Sequence, residues 1–77
     1  MTDTYRVDWA EPDVDGNPTD DIQVKFYETN RDAAMSFARR KSIKPDAPTI
    51  YVIKRTDDRD VGQYLFDNGL TNGFEQA

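Results

Sequence analysis

The apolar period changes from two to about 3.6 within a few residues, and this switch constrains the fold more than any other feature. Ile22-Gln23-Val24-Lys25-Phe26-Tyr27 alternates, the spacing of a strand with one face buried. Ala33, Ala34, Phe37 and Ala38 follow at helical spacing. A helix this short is marginal in water by itself, so its apolar stripe must be buried against a sheet. Thr29 or Asn30 can cap it, because either side-chain oxygen can accept from the free N–H groups of the first turn. Asp32 suits the positive end of the helix dipole, and Arg39, Arg40 and Lys41 suit the negative end. The helix is expected over about residues 30–41. Small alanines let it lie close to the sheet, with Phe37 as its main anchor.

Three more segments supply strands. Tyr5-Arg6-Val7-Asp8-Trp9 alternates and stops at Glu11-Pro12. Residues 49–54 (Thr-Ile-Tyr-Val-Ile-Lys) are apolar on both faces, which suits an interior strand. Thr56-Asp57-Asp58-Arg59-Asp60 is a polar turn, and residues 61–66 pair back as a hairpin strand closed by Asp67-Asn68-Gly69. Residues 11–21, with Pro12, Gly16, Asn17 and Pro18, form a long loop, and Pro45 and Pro48 bound a short connection. The order β-β-α-β-β describes an α+β domain: a small, mostly antiparallel four-stranded sheet with one helix packed on one face. Val24, Phe26, Phe37, Ile50 and Val52 are its expected core. Residues 1–77 make a single domain, with 1–3 and about 70–77 expected to fray.

A chain of 77 residues buries only about 60% of the surface its unfolded form exposes. One thin core fits; a deep catalytic cleft does not. Hydrophobic residues are 36% of the chain and nine are aromatic, enough to fold despite the polar average.

The missing residue types narrow the chemistry. Without Cys there is no disulfide, thiolate zinc site, iron–sulfur cluster or cysteine nucleophile. Without His there is no Ser–His–Asp triad and no imidazole metal ligand. The pairs Asp20-Asp21 and Asp57-Asp58 lie in polar segments with nothing apolar around them, so they lack the burial that acid–base work requires. No glycine-rich phosphate loop occurs, and no cofactor and no enzymatic activity are expected. No apolar run approaches the 18 residues of a membrane span, and Met-Thr-Asp-Thr does not open a signal peptide. The expected location is cytoplasmic, with no membrane partner.

Two local patterns resemble binding sites. Asp13, Asp15 and Gly16, after Glu11, match the first half of a calcium loop, but Ile22 stands where the closing bidentate Glu should be. No metal site is therefore expected. Arg39, Arg40, Lys41 and Lys44 form a candidate anion-binding cluster, weakened by the neighbouring helix carbonyls and by the net charge of −5.

The charge is divided along the chain. Residues 1–24 hold seven acids against Arg6 alone, residues 25–55 hold eight bases against three acids, and residues 56–77 hold five acids against Arg59. Asp57, Asp58 and Asp60 in the hairpin turn are candidates to attract a basic partner, with Trp9 or Tyr64 as apolar anchor. If the long acidic loop lay at the same end of the sheet, the two groups would make one negative patch, with the basic helix end elsewhere. The plainer use of the same acids is solubility. The expected function is that of a small acidic, non-catalytic protein-interaction module, such as a phage- or mobile-element-type inhibitor or an accessory regulator that occupies a partner's surface. A homodimer is compatible with it. The competing expectation is a nucleic-acid-related role, through phosphate binding at the basic helix end or through acidic mimicry of a phosphate backbone.

Overall fold

The computed structural model describes residues 2–17, 19–43 and 48–77. Five strands and one helix follow in the order β1 (Asp3–Ala10), β2 (Ile22–Glu28), α1 (Arg31–Ser42), β3 (Ile50–Thr56), β4 (Arg59–Asp67) and β5 (Leu70–Gln76). All strand neighbours are antiparallel, in the spatial order β2-β1-β3-β4-β5. The chain thus leaves β2, crosses β1 through the helix and returns as β3.

The α+β class holds, but the sheet has five strands rather than four. Residues 70–76, expected to fray, form β5. The feature that makes this strand is Gly62 in β4, which leaves room for the ring of Phe74 from β5. Phe74 then stacks on Tyr64 with ring centroids 5.3 Å apart. The turn Asn68-Gly69 adopts positive φ at both positions, 51° and 80°, the backbone of a tight hairpin.

Asn30 caps α1, its side chain accepting from the amide of Ala33 at 3.1 Å. Ala34, Ala38 and Ser42, four residues apart, form the buried stripe. Beneath them lie Tyr5 and Val7 of β1, Ile50 and Val52 of β3, and Phe66 of β4. Trp9, Tyr27, Met35, Phe37 and Tyr64 pack around this centre. Phe37 is a flanking residue, half-buried against Trp9 (5.4 Å) and Tyr27 (6.0 Å), and not the central anchor. Ser42 donates to the carbonyl of Arg39 (3.0 Å) and accepts from the amide of Gly69 (2.9 Å), which fastens the end of the helix to the β4–β5 turn.

The expected core of β2 is reversed. Val7 faces Lys25, and Trp9 faces Gln23, so Gln23, Lys25 and Tyr27 share the helix side. Ile22, Val24 and Phe26 point to the other face and are 59%, 45% and 72% exposed. The physical reason is position: β2 is an edge strand, and α1 sits over the middle of the sheet. Lys25 can therefore stand at the margin of the core, its ammonium 4.6 Å from the ring of Phe37, while its chain covers apolar surface.

Candidate functional site

The face of the sheet opposite α1 is uncovered. Its rows follow from the strand register. One runs Val24, Asp8, Tyr51, Leu65, and the next runs Phe26, Arg6, Ile53, Gln63, Glu75. Ile22 beside Ala10 continues the apolar column of β2. Ile53 is buried by its neighbours even here. The edge column is the exposed part, and no described residue covers it.

A chain of ion pairs crosses this face. Arg6 meets Asp8 at 3.1 Å and Asp60 at 3.5 Å, and Asp60 meets Arg55 at 3.1 Å. Asp60 is brought opposite Arg55 because a bulge at Val61 shifts the β3–β4 register. Arg55 also donates to the carbonyl of Asp58 at 2.7 Å. Two cations and two anions balance, so the strip adds polarity without net charge. A shallow depression of about 180 Å³ lies beside it, lined by Thr4, Tyr5, Arg6, Phe26, Glu28 and Arg55.

The acidic segments lie at opposite ends of the sheet, contrary to the single negative patch expected from the charge pattern. Thr56 of β3 pairs with Asp3 at the start of β1, and Ile50 pairs with Trp9 near its end. The Asp57-Asp58 turn is therefore beside the N-terminus, where the amide of Asp57 donates to the carbonyl of Thr2 at 3.4 Å. The 11–21 loop lies at the other end, together with the basic end of α1, where Lys41 pairs with Glu11 at 3.2 Å. Charge counts along the chain carried no signal for this; the number of strands between the two segments decides it.

The other candidates divide by location. Asp57 and Asp58 are exposed, with φ of 52° and 68°, while Asp60 belongs to the open-face ion strip. Trp9 and Tyr64 are on the helix side. Trp9 donates its indole N–H to Glu11 and lies under the ammonium of Lys41 at 4.9 Å, whereas Tyr64 packs between Phe74 and the guanidinium of Arg31 (5.4 Å). Arg39 and Arg40 are exposed at the helix end. Lys44 lies outside the described residues.

In the loop, the carboxylate of Asp13 accepts from the amides of Asp15 and Asn17, both at 2.9 Å, which makes it a strut of the loop itself. Among the described residues no three His, Cys, Asp or Glu side chains come together as a metal-ligand group. Asp3 has a carboxyl displaced for a structural reason: it is held below the ordinary carboxylate range, first by the Thr56 hydroxyl that donates to it at 2.6 Å and then by Lys54 at 3.6 Å. Among the described residues no helix is long and apolar enough to cross a membrane.

No family model, curated protein or solved structure matches the chain.

Proposed function

We propose that the chain is a non-catalytic protein-interaction module that binds through the open face of its sheet. One observation carries this reading: Ile22, Val24 and Phe26, three apolar side chains in one column, are 59%, 45% and 72% exposed, although a folded chain gains by covering them. Contiguous exposed apolar surface rimmed by polar groups is the usual mark of a contact site. Tyr51 and Leu65 extend the apolar area across the sheet. The Arg6–Asp8–Asp60–Arg55 strip supplies polar registration for a partner without selecting one charge sign. Asp57 and Asp58 sit at the border of this face, placed to steer a basic partner. A cytoplasmic inhibitor or accessory regulator is the class of protein this surface suits. Among the described residues, the phosphate-binding alternative draws on Arg39 and Arg40, since Lys41 is paired with Glu11.

The test is affinity capture from the cell that makes the protein, comparing the parent chain with Phe26→Asp, Leu65→Glu and the double variant Asp57→Asn with Asp58→Asn. A specifically retained protein should be lost with both open-face variants. It should remain, with slower association at low salt, for the turn variant. Retention unchanged by Phe26→Asp and Leu65→Glu would move the contact to another surface.

A further inference from the structure

We infer that the β2 edge pairs with β2 of a second copy of this chain, in an antiparallel register centred on Val24, to give a continuous ten-stranded sheet. The argument begins with what each edge offers. β5 is interrupted: Gly73 has φ +100°, and the register shifts between Tyr64 and Phe66, so its backbone groups do not present an even row. β2 is regular from Ile22 to Phe26 and opposes Ala10 to Arg6 residue by residue. It ends in an irregularity at Tyr27 and Glu28, where φ is 51°. Alternate residues of this five-residue run turn their amides and carbonyls away from β1, with no partner among the described residues, and the centre of the run is Val24.

The side chains are symmetric about the same residue. Ile-Gln-Val-Lys-Phe reads apolar, polar, apolar, polar, apolar in either direction. Antiparallel pairing about Val24 sets Ile22 against Phe26 of the second copy, Val24 against Val24, and Gln23 against Lys25, with each pair on one face of the sheet. Neighbouring registers fit worse. Centring on Lys25 opposes two ammonium groups and requires the irregular residues 27 and 28 to be extended. Centring on Gln23 requires residues 20 and 21, which lie outside the strand. The strand thus selects itself in one register, with six apolar side chains in one unbroken block on the open side.

The helices do not obstruct the contact. α1 lies over the middle of the sheet, touching β1 to β4. In the paired sheet the two helices stand about four strand spacings apart, roughly 19 Å, well beyond the 8–10 Å of helices in contact. A ladder of five residues a side falls at the small end of specific interfaces, so the association is reversible. It leaves the open face uncovered and joins two such faces side by side, so it does not depend on the function proposed above.

Sedimentation equilibrium of the full chain across micromolar to millimolar concentration tests it. The parent should approach a dimer. Val24→Lys places two like charges on the dyad and should weaken association by about tenfold or more. Gln23→Glu gains Lys25 of the second copy and should tighten association about threefold, a gain that high salt removes, whereas Gln23→Lys should weaken it. Gln23 is on the helix side, so its variants leave the open face intact. All these sites are at an exposed edge, and melting temperature checks that each variant keeps the fold; if Val24→Lys does not, the two Gln23 variants still decide. A parent that stays monomeric overturns the inference. So does a dimer indifferent to both Gln23 variants, which would place the contact on the open face and support that reading instead.

Discussion

The face covered by α1 can be tested by two phenylalanines that sequence alternation alone does not distinguish. Phe66 has no exposed surface and lies opposite Ile50 in the core, so Phe66→Ala should cost about 3–5 kcal/mol. Phe26 keeps 72% of its surface in water. A phenylalanine carries roughly 200 Å² of buriable area, so its covered quarter is about 50 Å². At about 25 cal/mol per Å² this amounts to about 1 kcal/mol. A domain of this size has total stability of about 4–12 kcal/mol, so the first change consumes much of it and the second little. Urea unfolding followed by tryptophan fluorescence is a suitable assay, since Trp9 is packed against Phe37. The slope with denaturant should match the parent for Phe26→Ala, so that the midpoint reads stability directly. Should Phe66→Leu be needed to keep a measurable native state, it should still cost more than Phe26→Ala. Equal losses at the two positions would mean that both faces are covered, and a larger loss at Phe26 that α1 lies on the other face; in either case the open face described here would not exist.

Other consequences follow from single contacts. Gly62→Ala should destabilise by about 1–3 kcal/mol, because its Cβ would meet the ring of Phe74 and the carbonyl oxygen of Glu75; backbone amide exchange should rise chiefly in β5. Ser42→Ala should cost about 1–3 kcal/mol by leaving the amide of Gly69 without its acceptor, measured by thermal melting. The contact of Asp3 with Thr56 and Lys54 lowers its pKa in the folded state, so the stabilisation is in force above the unfolded carboxylate value of about 4 and is lost as pH falls through the folded one. Melting temperatures of the parent and Asp3→Asn should therefore differ at neutral pH and converge in acid. Millimolar Ca²⁺ should leave the melting temperature unchanged; a saturable rise abolished by Asp13→Asn with Asp15→Asn would reveal a metal loop.

The parts of the fold legible in the sequence were those that depend on local periodicity. The helix, expected at about 30–41 and found at Arg31–Ser42, announced itself by its cap, its apolar stripe and its basic end. The double-sided run at residues 49–54 correctly indicated an interior strand, whose neighbours β1 and β4 bury Ile53 even on the open face. What failed was non-local. Leu70-Thr71-Asn72-Gly73-Phe74 has weak strand propensity, and it pairs because Gly62, eight or more residues earlier, makes room for Phe74. In β2 alternation showed that two faces differ but not which one meets the helix, and the aliphatic face seemed the natural core until edge position overrode it. Tyr27, aromatic and on the other parity, was the available hint.

The reversal in β2 has a cause that connects fold to function. If Ile22, Val24 and Phe26 faced α1, Lys25 would fall on the open side, and the edge would carry a charge where it now carries an apolar column. Lysines on edge strands are a common guard against strand addition. Here the lysine is drawn to the helix side, over Phe37 and Tyr27, and the guard is removed from the face that is free. A Val24→Lys chain should therefore associate more weakly than the parent yet be at least as soluble, since about half of that side chain is already in water. Loss of contact without loss of stability would separate the two demands on the strand: its polar face completes the core margin, and its apolar face is kept for something outside the molecule. A fall in melting temperature of the kind expected for Phe66→Ala would show instead that Val24 is held there by the fold, and the column would lose its meaning as a contact surface.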